Sequence, residues 1–285
     1  MRVLVTGASG LVGTAISERF GLGFNDLIRL DSKKLDLTNR VKTFEYIREV
    51  NPDLIIAAAA KVGGILSNRN NPYNFLDQNL QMQVNLIDAA VKYSVKKFIF
   101  LGSSCIYPRD SLQPIKEEYL LTGPLEATNS AYAIAKISGI EMIKAARKEF
   151  GFNWISIMPT NVYGPNDNFN LETGHVLPAL IHRFVEAKER NISTLKLWGT
   201  GKSLREFIHS SDLADAVYFA FLNYDEELQL NIGTGQEISI FELAKLIANL
   251  TNYQGSIEWD KEKPDGTPRK LLDSSRITSL GWQPK

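Results

Sequence analysis

A tyrosine and a lysine four residues apart, Tyr132 and Lys136, are the first side chains whose types and spacing suggest chemistry. Residues at positions i and i+4 lie on one face of a helix. A free tyrosine has a pKa of about 10 and exchanges protons poorly at neutral pH, whereas a nearby ammonium favours its phenolate. Ser103, just beyond a predicted strand, could hydrogen-bond the same substrate oxygen. These residues predict a proton-transfer site, although a half-buried tyrosine beside a solvated lysine has the same spacing.

Three glycines near the N-terminus have the spacing GxxGxxG, directly after a predicted strand and at the start of a predicted helix. Glycine lets the backbone turn tightly and approach a pyrophosphate closely, and a helix N-terminus offers amide donors to the phosphates. A tight strand-to-helix turn without a ligand is the alternative interpretation. The context favours a dinucleotide-binding loop, which consists of Gly7, Ala8, Ser9, Gly10, Leu11, Val12 and Gly13.

Charged residues after the second predicted strand bear on the choice of dinucleotide. Asp31 ends this strand, where an acidic side chain binds a ribose 2′-hydroxyl and opposes a 2′-phosphate, which favours NAD. Arg29, Lys33 and Lys34 flank it and could bind a 2′-phosphate, although solvated loop charges fit the pattern equally well. The local charge therefore leaves both NAD and NADP open.

The elements that must position these side chains follow from hydrophobic periodicity. Short apolar runs alternate with segments of helical period, which predicts an α/β fold with a doubly wound parallel sheet of the Rossmann type. Loop-forming residues become frequent after Met158. We therefore expect a dinucleotide-binding domain over 1–165 and a smaller, mainly substrate-binding region over 166–285, with some segments returning to the first domain. The predicted strands are 2–6, 27–30, 54–60, 97–101 and 154–158, and the predicted helices are 11–20, 41–50, 79–93 and 132–150.

The bulk composition argues against several classes of protein. The 285 residues carry 32 basic and 32 acidic side chains, so no global field favours binding to a nucleic acid. Cys105 is the single cysteine, which rules out an internal disulfide and suits a reducing compartment. The sequence contains no recognisable signal peptide, membrane-spanning apolar run or metal-ligand spacing. We expect a cytoplasmic protein that binds no membrane and no metal.

The glycine loop, Ser103 and the pair of Tyr132 and Lys136 together resemble the extended short-chain dehydrogenase/reductase family. The resemblance implies that Tyr132 donates or accepts the proton, that Lys136 also holds the nicotinamide ribose, and that Ser103 orients the carbonyl. Within this family, longer segments resemble the GDP-L-fucose synthases and run from the first strand almost to the end of the chain. Besides the glycine loop, these segments are 58–64, 102–108, 159–165, 167–169, 175–178 and 263–270.

The reaction of the GDP-L-fucose synthases needs two acid/base groups, and a cysteine and a histidine can supply them. Their substrate, GDP-4-keto-6-deoxy-D-mannose, has a C4 ketone that acidifies the hydrogens at C3 and C5. Inverting each carbon needs one group that removes a proton and a second group that returns a proton to the opposite face. A thiol and an imidazole have pKa values close enough to neutral pH to serve as these groups. The resemblance implies that Cys105 is the base, that His175 is the acid, and that Tyr132 stabilises the enolate and later protonates O4. Outside such context a lone cysteine or histidine is usually structural, as we expect for His182 and His209.

The resemblance also implies which residues bind the two nucleotides. Arginine suits a diphosphate because its planar fork pairs with two phosphate oxygens. The residues expected to bind the GDP-sugar are Arg183, Trp198, Arg205, Asp265 and Lys270. Besides the glycine loop and Asp31, the residues expected to bind the cofactor are Leu101, Gly102, Ser103, Ser104, Tyr132, Lys136, Pro159, Thr160, Asn161, Val162 and His175.

The chain departs from the family pattern at several points. Family members generally use NADPH, but Asp31 stands where those compared carry a neutral or basic residue, and Ser9 replaces an arginine found in some members. The resemblance implies NADP(H), with NAD as the alternative, and a homodimer packed through the helices 79–93 and 132–150. The sequence also stops without a closing helix, which suggests a truncated form.

Two other functions stay open at the level of sequence. One is another extended reductase acting on nucleotide sugars, such as a 4-epimerase or a dehydratase. A dehydratase normally places an acidic pair after the central serine, and residues 105–107 contain none. The other is a non-catalytic dinucleotide-sensing module, and the intact set of Ser103, Tyr132 and Lys136 argues against it.

Overall fold

A parallel sheet of six strands forms the centre of the molecule. The computed structural model describes residues 1–263 and 265–285, so Pro264, within the segment 263–270, lies outside the described residues. The strands are β1 (Val3–Thr6), β2 (Leu27–Leu30), β3 (Leu54–Ala57), β4 (Lys97–Leu101), β5 (Asn153–Pro159), β6 (Asn161–Tyr163), β7 (Thr194–Trp198), β8 (Leu204–His209), β9 (Leu230–Ile232), β10 (Glu237–Ser239), β11 (Ser256–Asp260) and β12 (Arg269–Lys270). The central sheet has the order β2-β1-β3-β4-β5-β9, and all of its strand pairs are parallel. The predicted α/β Rossmann fold class is confirmed.

Helices cover both faces of this sheet. They are α1 (Leu11–Gly21), α2 (Arg40–Val50), α3 (Ile65–Asn70), α4 (Pro72–Lys92), α5 (Ser130–Phe150), α6 (Val176–Glu189), α7 (Ser210–Asn223), α8 (Ile240–Thr251) and α9 (Ser275–Ser279). Side chains alternate along a strand, so Leu4 packs in the layer of α2, α4 and α5, whereas Val3 and Val5 pack in the layer of α1 and α7. Because both faces are buried, the central strands are continuous apolar runs.

Local sequence explains where the two longest helices begin and end. α4 begins with Pro72 at its first position, where a missing N–H does no harm, and so starts before the predicted residue 79. α5 ends at Gly151, which adopts φ 70° and donates its N–H to the carbonyl of Arg147. α4 and α5 pack along each other, which fixes the face of α5 that carries the tyrosine and the lysine.

The order of the strands creates a crevice for a ligand. β1 lies between β2 and β3, so the chain leaves β1 on one side and returns to the sheet on the other. In open α/β sheets, ligands bind at such a switch point, beyond the carboxyl ends of the strands. The glycine loop follows β1 at this edge.

A separate apolar cluster underlies the second half of the chain. α6 and α8 pack with the parallel pair of β7 and β11 around Phe184, Leu197 and Leu243. β8 pairs with β6, β10 and β12 in a small second sheet. α7 and β9 instead pack into the central layers. Across residues 1–263 and 265–285, no helix has both the length and the apolarity needed to cross a lipid bilayer.

Candidate active site

The glycine loop joins β1 to α1, and close backbone contacts require its glycines. A Cβ on Gly13 would lie 2.1 Å from the carbonyl oxygen of Gly7, and a Cβ on Gly7, which has φ +67°, would lie 2.8 Å from the backbone of Ala59. Gly10 stands at the N-cap of α1 and has no side chain with which to cap the first amides of the helix. The close-packed loop and these amides fit a dinucleotide phosphate.

Asp31 forms a backbone turn beside this loop. Its Oδ1 accepts hydrogen bonds from the backbone N–H groups of Lys33 and Lys34 at 3.0 and 3.2 Å. The Lys34 ammonium donates to the carbonyl of Arg29 at 3.3 Å. This arrangement is an Asx turn. It places the carboxylate of Asp31 close to the basic residues Lys33 and Lys34, and these charges influence whether NAD or NADP binds.

α5 places Tyr132 and Lys136 on one face, against the carboxyl end of β4. Lys136 is buried, its ammonium donates to the carbonyl of Leu101 at 2.8 Å, and it lies 6.0 Å from the centre of the Tyr132 ring. Burial lowers the pKa of Lys136 to about 8. Burial, with a smaller contribution from the negative charge of Cys105, raises the pKa of Tyr132, and the interaction with Ser103 opposes this rise.

The protonation of Tyr132 differs from the sequence-based expectation that the lysine favours a phenolate. The Lys136 ammonium donates to the carbonyl of Leu101, and burial disfavours the charged form of both side chains. Tyr132 is therefore a neutral phenol at neutral pH. A neutral phenol can donate a proton to an oxygen that gains negative charge.

Ser103 connects the tyrosine to the cysteine. It begins a short 3-10 helix directly after β4, and its Oγ accepts the backbone N–H of Cys105 at 3.3 Å while the hydroxyl also interacts with the Tyr132 phenol. Burial raises the pKa of the Cys105 thiol, but the ammonium of Lys270, the hydroxyl of Ser103 and the guanidinium of Arg205 outweigh it, so the net pKa is lowered. The lowered pKa favours a thiolate, the form that removes protons.

The expected cofactor-binding residues of β4 and β5 lie on adjacent strand ends. The N–H of Thr160 donates to the carbonyl of Ile232 at 2.9 Å. The Thr160 hydroxyl and the Asn161 amide both donate to the carbonyl of Glu206, at 3.2 and 2.7 Å. These bonds join residues 160 and 161 to β8 and β9, and the pairing of β5 with β4 up to Leu101 places 159–162 near 101–104.

His175 stands at the N-cap of α6, open to solvent. Burial by the surrounding protein lowers the pKa of its imidazole, the cation of Lys270 lowers it further, and Asp167 opposes both. Solvent reaches the His175 side chain, while protein atoms surround it at longer range and lower its pKa. The same ammonium therefore acts on His175 and on Cys105.

The residues expected to bind the GDP-sugar converge around one loop. The Arg183 guanidinium lies 5.7 Å from the centre of the Trp198 ring. The Asp265 carboxylate accepts from the N–H and the hydroxyl of Thr200, at 2.7 and 2.8 Å, and its carbonyl accepts from Arg205 at 3.4 Å. Lys270 is the register partner of Arg205 in the second sheet. The structure thus groups Arg183 with Trp198, and Asp265 with Arg205 and Lys270, and their contact with a nucleotide stays a prediction.

Two residues of this site escaped the sequence analysis. Asn129 donates its Nδ2 to the Cys105 sulfur at 3.4 Å, and its place three residues before the predicted helix 132–150 was the available signal. Glu206, fully buried, accepts from the N–H groups of Thr234, Gly235 and Leu272 at 2.7 to 3.0 Å. Nothing in the local sequence marks Glu206, because its partners are distant in the chain.

The remaining histidines have local contacts. His182 lies 2.6 Å from the carbonyl of Phe169, and His209 accepts the N–H of Ser211 as the N-cap of α7. These contacts fit structural roles. In the part of the chain that the structure describes, no cluster of three or more His, Cys, Asp or Glu side chains could hold a metal ion.

Comparison with known proteins places this geometry in context. A model described as the NAD dependent epimerase/dehydratase family matches residues 3–233. The chain is 51% identical to the probable GDP-L-fucose synthase 1 of Oryza sativa subsp. japonica, covering 100% of the chain and 87% of that relative. It is 49% identical to the GDP-L-fucose synthase of Sinorhizobium fredii, covering 100% of the chain and 90% of that relative.

Solved structures agree with these matches. A GDP-6-OMe-4-keto-L-xylo-heptose reductase from C. jejuni superposes with a TM-score of 0.94 at 32% identity, over 100% of this chain and 93% of that one. A GDP-L-fucose synthetase from Naegleria fowleri bound to NADP superposes with a TM-score of 0.87 at 29% identity, over 99% of this chain and 89% of that one.

Proposed function

Because the chain belongs to the NAD dependent epimerase/dehydratase family and, within it, to the GDP-L-fucose synthases, we propose that it converts GDP-4-keto-6-deoxy-D-mannose into GDP-L-fucose. The reaction inverts C3 and C5 and then reduces C4. The family resemblance inferred from the sequence is confirmed. The substrate itself is the proposal.

One observation carries this proposal beyond a generic reductase. Ser103 interacts with both Tyr132 and Cys105, and the Lys270 ammonium acts on both Cys105 and His175. These interactions support a site in which a phenol for the ketone oxygen, a thiol and an imidazole act together. A simple reductase needs only the first of these.

The epimerisation needs a thiolate at Cys105, which the lowered pKa of the thiol favours, and an imidazolium at His175, which Asp167 favours but burial and Lys270 disfavour. The Cys105 thiolate removes the proton from C3 or C5, the electron pair of the broken C–H bond becomes the enolate, and the sulfur becomes a neutral thiol. The phenol of Tyr132 and the hydroxyl of Ser103 stabilise the enolate oxygen. An imidazolium at His175 returns a proton to the opposite face of the same carbon and becomes neutral. Before the second inversion, the thiol must lose its proton and the imidazole must regain one.

The reduction uses Tyr132 as the acid. A nicotinamide cofactor held by this site would supply a hydride to C4. The phenol of Tyr132 gives its proton to O4, and its raised pKa means that it still holds this proton at neutral pH. Lys136 and the loop residues Gly7 to Gly13 hold the cofactor in this scheme.

The preferred cofactor is NADPH. The structural relative from Naegleria fowleri is described as bound to NADP, and Lys33 and Lys34 lie at the turn that Asp31 closes. In Asp31→Asn, the amide oxygen can still accept both backbone hydrogen bonds while the negative charge is lost. We expect the KM for NADPH to fall several-fold and the KM for NADH to change little, measured by steady-state kinetics with each cofactor. An equal change for both cofactors would show that Asp31 does not discriminate between them.

Product analysis tests the reaction. Incubation of the protein with GDP-4-keto-6-deoxy-D-mannose and NADPH should give GDP-L-fucose, identified by NMR. Cys105→Ser should abolish deuterium exchange at C3 and C5 in D2O while leaving cofactor affinity unchanged. GDP-rhamnose as the sole product would refute the epimerase activity, and tightly retained NAD with turnover in the absence of reductant would indicate a 4-epimerase or a dehydratase.

We also propose that the protein acts in the cytoplasm as a homodimer. The single thiol at Cys105 needs a reducing environment to remain free. α4 and α5 pack side by side and leave Tyr73 and Ile134 exposed on their surfaces. Sedimentation of the wild type and of Ile134→Glu tests the dimer, which the variant should weaken.

A further inference from the structure

Two donors from distant parts of the chain meet at the sulfur of Cys105. The Lys270 ammonium lies 3.3 Å from Sγ, and the Nδ2 of Asn129 lies 3.4 Å from Sγ. Asn129 belongs to the start of α5 and Lys270 to β12, so only the tertiary structure brings them together. Both distances lie within hydrogen-bonding range for a sulfur acceptor.

Asn129 departs from the usual role of its position. It is the N-cap residue of α5, where an asparagine side chain normally accepts an N–H of the first turn. Here the side chain makes no such cap, and its Oδ1 is buried without a hydrogen-bond partner among the described residues. The side-chain amide makes no N-cap hydrogen bond to the first turn of α5 and instead directs its N–H group at the sulfur. Such a departure from local preference is expected at a functional position.

The charges around the sulfur are mainly positive, and Glu126, the acidic side chain that lines the same small pocket, pairs with Arg109 at 3.1 Å. Lys270 and Arg205, neighbours in the second sheet, are the cations that act on it. Tyr132, from α5, is the titratable neighbour on the other side, and it is a neutral phenol. The first turn of α5 lies against the 3-10 helix that contains Cys105, and a helix N-terminus favours a thiolate.

We propose that Lys270 and Asn129 are positioning residues that hold Cys105 as a thiolate and aim it at the substrate. This inference rests on the proposed function, in which Cys105 removes the C3 and C5 protons. Lys270 remains an ammonium throughout: the proton passes from carbon to sulfur, and the ion pair becomes an ammonium beside a neutral thiol. Asn129 exchanges no proton.

The proposal differs from a role of Lys270 in nucleotide binding alone. A lysine that only contacts the GDP-sugar changes KM and leaves the thiol of the resting enzyme unaffected. A lysine that holds the thiolate changes the ionisation of Cys105 before any substrate binds. Its loss also lowers kcat for epimerisation and moves the acid limb of the pH profile to higher pH.

The single cysteine of the chain makes a direct test possible. The rate of alkylation by iodoacetamide, followed from pH 5 to pH 10 in the 285-residue protein without substrate, reports Cys105 alone. We expect a wild-type midpoint below about 8.5. In Lys270→Met the midpoint should rise by about one unit, which corresponds to an alkylation rate about tenfold lower at pH 7. Lys270→Arg retains the positive charge beside the sulfur, so its alkylation midpoint should stay close to that of the wild type.

Matched variants complete the design. Asn129→Asp retains side-chain size and a capping oxygen but puts a carboxylate beside the sulfur, so the midpoint should rise. Lys202→Met removes one exposed cation before β8 and should leave the midpoint unchanged. Thermal unfolding checks that each variant is folded.

The outcomes separate this inference from the proposed function. A Lys270→Met midpoint equal to that of the wild type, in a folded protein, overturns the inference even if GDP-L-fucose is formed. A shifted midpoint together with unchanged kcat and C5 deuterium exchange also overturns it. Failure to convert the keto-sugar refutes the proposed function, whereas the alkylation data still report whether the two residues hold the thiolate.

Discussion

At the scale of single residues, burial decides the charge of the proposed catalytic groups. Tyr132 and Lys136 are both buried, and both have pKa values displaced towards their neutral forms. Cys105 is the exception, because nearby cations outweigh its burial. The pKa shifts therefore favour a neutral acid at Tyr132 and the ionisation of Cys105, which is the combination that the proposed epimerisation and reduction require.

Tyr132→Phe removes the proposed acid and retains the ring. We expect kcat for reduction to fall on the order of 100- to 10,000-fold, the usual contribution of a positioned acid, measured as NADPH oxidation with the keto-sugar present. Tyr218→Phe, a tyrosine of α7 that packs against Phe20 and Arg19, is the control and should retain activity. Undiminished oxidation in Tyr132→Phe would assign the proton to another group.

Lys136→Met tests the protonation of the buried lysine in the cofactor-free protein. The pKa is about 8 in the folded chain and 10.5 as a reference for the unfolded chain, so the unfolded state binds more protons between these values. The wild type should therefore gain about 3 kcal/mol of unfolding free energy relative to the variant as the pH rises from 8 to 10.5. Urea unfolding across this range measures the difference. Lys148→Met, which changes an exposed residue of the same helix, is the control and should show no such trend. If the difference in unfolding free energy between the wild type and Lys136→Met does not change with pH, the lowered pKa of Lys136 is contradicted.

At the scale of elements, one turn and one helix position most of the groups of the candidate site. The turn from β1 to α1 brings helix amides to the crevice, and α5 brings Tyr132, Lys136 and Asn129 to the end of β4. Close packing holds both elements in place. A Cβ on Gly139 of α5 would lie 2.3 Å from the ring of Phe100.

Gly13→Ala and Gly10→Ala form a matched pair within the turn. A Cβ at Gly13 would lie 2.1 Å from the backbone oxygen of Gly7, whereas a Cβ at Gly10 would lie 3.5 Å from that atom, an ordinary contact. We expect Gly13→Ala to lower the free energy of unfolding by about 3 kcal/mol through overpacking and Gly10→Ala to change it by less than about 1 kcal/mol. Denaturant unfolding of both variants measures the contrast. Equal losses would mean that the turn relaxes around either substitution.

At the scale of the whole molecule, a buried carboxylate joins the two halves of the site. Glu206 of β8 accepts hydrogen bonds from the turn after β9, which belongs to the central sheet, and from Leu272 after β12. Its backbone carbonyl accepts from Thr160 and Asn161. The cofactor edge and the segment that carries Lys270 are thereby held in one arrangement.

Glu206→Gln should disturb this arrangement with little change in size. The amide replaces one acceptor oxygen with a donor that faces backbone N–H groups, so we expect a loss of about 2–3 kcal/mol in the free energy of unfolding. Denaturant unfolding measures the loss. Glu258→Gln, an exposed residue of β11, is the control and should be neutral. A stability of Glu206→Gln equal to that of the wild type would mean that these hydrogen bonds contribute nothing net.

The sequence by itself determined the fold class and the family, and it predicted the phosphate loop. Each of these depends on local signals: periodicity, glycine spacing between β1 and α1, and residues four apart on α5. The tertiary structure alone decided which groups meet at Cys105, how Glu206 connects two sheets, and that Tyr132 is a neutral phenol. Contacts and burial arise from segments far apart in the chain, and the free energy of a buried charge depends on all of its surroundings, so no local pattern can predict them.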